Sequence, residues 1–178
     1  MRIAVYGREF NATVLPFVQD TFRILDQYGV EIVIYDKFYE FIHDKITLPS
    51  NYSIFFKKDN LSSDRDILIS LGGDGTLLDT LALVRNSGTP VVGINFGRMG
   101  FLASVNKTEI EMAIAALVSK QYTIDQRSLL SIESGMDLFD GENYALNDVT
   151  IHRRDNSAMM IIHAYMDGEF INSYCDNF

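Results

Sequence analysis

The sequence predicts an α/β domain built on a parallel sheet, followed by the start of an all-β domain. Three observations predict it. Strand-like and helix-like stretches alternate over residues 1–121. The stretch Ile67-Leu68-Ile69-Ser70-Leu71 is almost continuously apolar, as a strand in the middle of a parallel sheet must be. Beyond Gln121 the helical spacing stops, and short strand-like stretches separated by turn dipeptides take over.

Each element follows from its own residues. Arg2-Ile3-Ala4-Val5-Tyr6 alternates as a strand and ends at Gly7. Val14, Phe17, Val18, Phe22 and Leu25 recur at helical spacing, and Gly29 supplies the stop. Residues 30–35 are rich in β-branched side chains and predict a second strand; residues 38–42 predict a short helix. Between 48 and 64, Pro49, Ser50, Asn51, Asn60, Ser62 and Ser63 predict irregular chain with one short strand at 54–56. The strand at 67–71 runs into glycines and then one helix, with Leu77, Leu78, Leu81 and Val84 inward. Residues 90–95 form the next buried strand. Asn106 can cap a helix running to about Lys120, with Glu109 in its first turn. Strands are then expected at 129–133, 144–153 and 159–166, joined at Ser134-Gly135, Asp140-Gly141 and Asp167-Gly168. The expected boundary falls near residue 122, giving domains 1–121 and 122–178.

Composition bounds the function. With 47% hydrophobic residues a real core forms. The formal net charge is -9, and Lys57-Lys58 and Arg153-Arg154 are isolated pairs rather than a patch. A nucleic-acid backbone needs clustered Lys and Arg, so that partner is not expected. Small anions held by backbone N–H groups remain open. Cys175 is the one cysteine, which excludes a disulfide framework and fits a reducing cytoplasm. Met1 leads straight into the first strand, and no apolar run is long enough to span a bilayer. His43, His152 and His163 lack metal-ligand spacing. Asp79 reads as a solvated helix carboxylate.

The pentapeptide Gly72-Gly73-Asp74-Gly75-Thr76 sits between a buried strand and a helix. Ligands of open α/β sheets bind at the carboxyl ends of strands. Glycines let the backbone approach phosphate oxygens, amides there favour an anion, and Thr76 can cap the helix. Asp74 is the exception, because a carboxylate repels phosphate. It makes sense if it holds Mg²⁺ through water, or takes a proton from a hydroxyl attacking a phosphoryl group. The bland alternative is a Gly-rich turn with Asp74 as a local cap. The spacing matches neither a P-loop nor the Gly-x-Gly-x-x-Gly dinucleotide fingerprint.

These five residues resemble the Gly-Gly-Asp-Gly-Thr motif shared by NAD kinases, diacylglycerol and sphingosine kinases and, more loosely, 6-phosphofructokinases. Two further segments narrow the resemblance. Gly93-Ile94-Asn95-Phe96-Gly97-Arg98-Met99-Gly100-Phe101-Leu102 is similar to the NAD kinase segment Gly-Ile-Asn-x-Gly-x-Leu-Gly-Phe-Leu, with Met99 where leucine is usual. Ala145-Leu146-Asn147-Asp148-Val149 is similar to the Ala-Leu-Asn-Glu/Asp-Val segment that opens that family's second domain. The resemblance to the NAD kinase family covers nearly the whole chain.

The resemblance implies a Rossmann-like, phosphofructokinase-like first domain and a kinase. The reaction implied is phosphoryl transfer from ATP or polyphosphate to the adenosine ribose 2′-hydroxyl of NAD, giving NADP, with Mg²⁺ or another divalent cation. Asp74 would be the base, and Gly72, Gly73, Gly75 and Thr76 the phosphate cradle. Gly75 and Leu78 would lie beside the dinucleotide, Phe101 would pack against it, and Asn147 and Asp148 would hydrogen-bond it. Asp176 stands where the family has the aspartate of an Asp-Gly pair, although Asn177 and Phe178 follow here. From the residues alone, Phe101 also reads as a core side chain and Asn147-Asp148 as a turn or bulge. The family continues to a Thr-Pro-Thr-Gly-Ser-Thr-Ala-Tyr-like loop that helps bind NAD. This chain ends before it, so a shortened protein is expected. Its unfinished β domain would leave open edges and apolar faces that favour a homo-oligomer. The alternatives are a non-catalytic nucleotide-binding remnant, and a lipid or sugar kinase sharing only the first motif.

Overall fold

In the computed structural model, which describes residues 1–57, 59, 61, 66–97, 100–136, 138–139, 141–152 and 160–176, strand β1 (Arg2–Gly7) lies inside a parallel sheet. Its companions are β2 (Glu31–Tyr35), β3 (Tyr52–Phe55), β4 (Asp66–Leu71), β5 (Val91–Asn95) and β6 (Val105–Asn106). The order is β3-β2-β1-β4-β5-β6, and every neighbouring pair is parallel. The chain steps outward from β1 to β3, then returns to place β4 on the other side of β1. Connections therefore leave β1 and β4 in opposite directions, which opens a crevice at their carboxyl ends. The α/β reading of the sequence is borne out.

The core explains why these residues form these elements. Ile3, Ile34, Leu68 and Ile69 are completely buried, as strands covered on both faces require. Helix α1 (Leu15–Gln27) carries a proline in its first turn, and turns Val18, Thr21, Phe22, Ile24 and Leu25 inward. Phe22 has no exposed surface, and burying such a side chain is worth roughly 1.5–3 kcal/mol. Helix α2 (Asp36–Ile42) follows β2 directly and buries Phe38 and Ile42. Helices α3 (Asp74–Asp79) and α4 (Leu81–Val84) follow β4, and α5 (Ile110–Val118) packs beside α1.

Several boundaries differ from the sequence reading. The single helix expected after the glycines is two helices, because the Thr80 hydroxyl donates to the Leu77 carbonyl at 2.6 Å and interrupts the turn. Leu77, Leu83 and Val84 are buried, while Leu78 and Leu81 are only half-buried and line a cavity. Strand β3 begins two residues earlier than 54–56, where its backbone pairs with β2 from Ile32 to Tyr35. Asn106 and Glu109 form the expected capping box, but it caps a 3₁₀ turn at Lys107–Glu109 that leads into α5. Helix α5 stops at Val118, and Lys120 adopts φ +56°. The strands expected at 129–133 and 144–153 shrink to β7 (Leu130–Ser131) and β8 (Tyr144–Ala145), a short antiparallel pair.

The chain divides into two compact units, Met1–Leu146 and Asn147–Phe178. Beyond residue 122, the first unit takes in β7 and β8, and Glu142 forms an ion pair with Lys57. The second unit holds an antiparallel hairpin, β9 (Met160–Met166) and β10 (Glu169–Asp176). Its turn is Asp167-Gly168, both at positive φ, the two-residue geometry that suits strand twist. Lys58, Asn60, Ser62, Ser63, Asp64, Arg98, Met99, Asp140, Arg153, Arg154, Met159, Asn177 and Phe178 lie outside the described residues. Among the described residues, no helix is long and apolar enough to cross a membrane.

Candidate functional site

Strand β4 delivers the Gly-rich turn to the carboxyl edge of the sheet. The Gly72 N–H donates to the Ile94 carbonyl at 2.9 Å, tying the turn to β5. Gly72 has φ +154°, and a Cβ on it would come within 2.8 Å of the Thr76 Cβ. Glycine is required there for Thr76 to close over the turn. Thr76 is not the cap that the sequence suggested. The helix begins at Asp74 with Gly73 as N-cap, and no side chain caps it, so Thr76 falls inside the first turn. Gly72, Gly73 and Thr76 line a cavity of about 360 Å³ with Arg8, Asn95 and Phe96. The cavity sits at the carboxyl ends of β1, β4 and β5, which is the crevice made by the strand order.

Asp74 turns away from that cradle toward the segment after β5. Its Oδ2 accepts the Phe101 N–H at 2.7 Å. Its Oδ1 accepts the N–H groups of Leu102 at 3.0 Å and Ala103 at 2.9 Å. Gly100 makes this approach possible, because a Cβ on it would overlap the Asp74 carboxylate. The amides of Ala103 and Phe101, then Leu102, hold the Asp74 carboxyl below its usual range against a smaller opposing desolvation. The group is therefore ionised at neutral pH.

A depressed carboxylate pKa has a defined linkage. The clamp's contribution is complete above the unfolded aspartate value of about 3.9, and is lost as pH falls through the lower folded value. The amide proton resonances of Phe101, Leu102 and Ala103 are expected to stay fixed from neutral pH down to about pH 4 and to move together below it. Separate movement near pH 6 would contradict the assignment.

The Phe101 backbone is held while its ring is 97% exposed. The core alternative for Phe101 is thereby overturned. Leu78 lines a second cavity of about 1000 Å³ with Tyr6, Tyr35, Leu81 and Tyr144. Asn147 and Asp148 are exposed and open the second unit, and Asp176 ends β10. The first unit thus joins Gly72, Gly73 and Thr76 at one cavity and ties Phe101 to Asp74 through its backbone, whereas Leu78 lies on the other cavity.

Sequence reasoning missed one cluster. Asp79, expected as a solvated carboxylate, accepts the Tyr6 hydroxyl at 2.8 Å and both Nε and Nη2 of Arg8. Burial first, and then Asp79, push the Tyr6 phenol well above its ordinary range, so it remains a donor. Arg8 lines both cavities. The signal was its position, one residue past Gly7 at the carboxyl end of β1. Among the described residues, no three His, Cys, Asp or Glu side chains are grouped to hold a metal ion. His43 stacks on Tyr39, and His163 hydrogen-bonds Ser173.

Comparison with known proteins adds three findings. Residues 11–122 match the model of the ATP-NAD kinase N-terminal domain. The chain is 37% identical over 176 residues to an NAD kinase of Flavobacterium johnsoniae, and 33% identical over 174 residues to one of Bacteroides fragilis. Each alignment covers 98% of this chain, but only 60% and 59% of those relatives, so the chain spans about three-fifths of their length. A solved structure of yeast NADH kinase complexed with NADH has the same fold, with a TM-score of 0.78 at 19% identity over 97% of this chain and 54% of that one.

Proposed function

Since the chain belongs to the NAD kinase family, we propose that it transfers the γ-phosphoryl group of ATP to the adenosine ribose 2′-hydroxyl of NAD, giving NADP and ADP. The observation that carries the proposal is the carboxylate of Asp74, one residue past Gly73 of the crevice lining and fixed in direction by the amides of the segment after β5. A carboxylate has about four acceptor positions, and Asp74 uses three on amides, two at Oδ1 and one at Oδ2. Oδ2 thus retains an acceptor position for the 2′-hydroxyl proton. As the oxygen of that hydroxyl bonds to the γ-phosphorus, the bond to the β,γ-bridging oxygen breaks and the proton passes to Asp74. The amides that hold Asp74 make it a weak base but fix its direction. Positioning and charge stabilisation carry most of such a reaction.

Gly72, Gly73, Gly75 and Thr76 bound the phosphate end, and Leu78 and the exposed ring of Phe101 offer apolar surface to the dinucleotide. The further proposal that Asn147, Asp148 and Asp176 hydrogen-bond the dinucleotide rests on the family resemblance of their segments alone. The Asp74 oxygens face amides, and no protein-built cage for a divalent cation is present among the described residues. Mg²⁺ therefore fits as part of the ATP substrate, which is its usual place beside phosphates. The lone thiol of Cys175 supports a reducing cytoplasm. Ile161, Tyr165, Phe170, Ile171 and Tyr174 stay exposed on the two-stranded β9–β10 sheet, which supports association of copies.

The test is NADP formation from NAD and Mg²⁺-ATP by this chain. Phosphorylation of diacylglycerol or fructose 6-phosphate, with NAD ignored, would overturn the assignment. Binding of NAD and ATP without turnover would reduce it to nucleotide binding.

A further inference from the structure

We propose that Arg8 binds the phosphate groups of the donor nucleotide, presented by Asp79 and Tyr6 as a preset fork. The inference rests on the phosphoryl-transfer reading and adds a residue to it.

Three observations lead there. First, Arg8 is the only cation among the described residues that line the cavity of the Gly-rich turn, where Glu9 adds a carboxylate. Charge spread over phosphate oxygens needs a positive partner, and backbone amides alone supply only partial charge. Second, the guanidinium is aimed. Asp79 takes Nε and Nη2, one edge of the fork, and leaves Nη1 outside the pair. Nη1 is the atom that a Cβ on Gly75 would meet, at 4.0 Å, so it borders the Gly-rich turn itself. Third, the pair is ill-suited to a purely stabilising role. The Arg8 side chain is 58% exposed, and exposed ion pairs add little to stability. Yet Asp79 is itself oriented by the Tyr6 hydroxyl at 2.8 Å, and that oxygen is held by burial of the ring in β1.

The order of dependence is then clear. Tyr6 fixes Asp79, Asp79 fixes the plane of the guanidinium, and Nη1 is left to donate to a phosphate oxygen. A planar fork held along one edge loses little freedom on binding, which a lysine at the same place would not match. Arg8 touches substrate in this scheme, and Asp79 and Tyr6 are positioning residues.

Titration calorimetry with ATP and with inorganic tripolyphosphate tests the assignment. Arg8→Gln is expected to weaken both ligands by about 10- to 100-fold, the scale of a lost hydrogen bond to a charged group. The melting temperature should change little, as for other exposed pairs. Arg8→Lys should recover only part of the tripolyphosphate affinity, because charge is restored but the preset fork is not, and its kcat should fall below that of the unaltered chain. Asp79→Asn should raise the KM for ATP severalfold and lower kcat, with folding intact. In Arg8→Gln the Asp79 carboxylate is left unpaired near the ligand, so the double variant with Asp79→Asn separates repulsion from the lost contact. Weakened binding in the double variant supports the role of Arg8. Wild-type tripolyphosphate affinity in it would overturn that role. Failure of the unaltered chain to form NADP would instead strike the kinase reading, so the two failures are distinguishable.

Discussion

Asp74→Asn should lower NADP formation by about 10²–10⁴-fold, the range that a positioned general base contributes. The amide variant fails in two ways. Its oxygen is a far weaker proton acceptor than a carboxylate. Its NH₂ group is also a donor, and it would face one of the backbone N–H groups that Asp74 now receives from Phe101, Leu102 and Ala103. Two donors facing each other repel, so the segment from Gly100 to Ala103 should loosen. The expected kinetic signature is a fall in kcat together with a rise in the KM for NAD. Rates are read from initial NADP production, and loop order from the amide resonances of those three residues. Undiminished turnover in Asp74→Asn would remove Asp74 from the chemistry.

The second large effect comes from a methyl group. Gly100→Ala keeps the Asp74 carboxylate but places a Cβ in the space that the carboxylate occupies. Either the side chain of Asp74 or the loop must move. A displacement of about 1 Å at a reacting group can cost about 10²-fold in rate, and a loss of that order in kcat/KM is expected. The variant separates two roles. If Asp74 worked only as a base, a modest shift of the loop would matter little. If it also anchors the loop, Gly100→Ala and Asp74→Asn should be strongly non-additive when combined, since both remove one arrangement. Wild-type kinetics in Gly100→Ala would show that the anchor has no bearing on activity.

Much of this was legible in the residues. The strands β1, β2, β4 and β5 have side chains whose apolar character leaves few other options, and they lie where expected. Helix α1 was legible from the spacing of Val18, Phe22 and Leu25. What escaped was decided by single hydrogen bonds or by pairing across the sheet. Thr80 looks like an ordinary helical residue until its hydroxyl takes the Leu77 carbonyl. The limits of β3 follow from its register with β2, which no local pattern encodes. The same holds for the site. The Gly-rich pentapeptide announced itself, because three glycines around one carboxylate are unusual. The Phe101 ring could not be placed, because apolarity alone points inward, whereas here the backbone is held and the ring is left outside. Arg8 and Asp79 are 71 residues apart, so their pairing depends on β1 and β4 being neighbours.

The way the loop after β5 is fastened has a consequence for redesign. Asp74 grips peptide groups only, at three consecutive positions, and ignores what those residues carry beyond Cα. Anchorage and the recognition proposed for the Phe101 ring thus lie in different parts of one residue. The ring at position 101 can be exchanged for larger, smaller or polar groups without disturbing the grip. Acceptor preference in this scaffold should be open to tuning there, one side chain at a time, while the carboxylate beneath keeps its place.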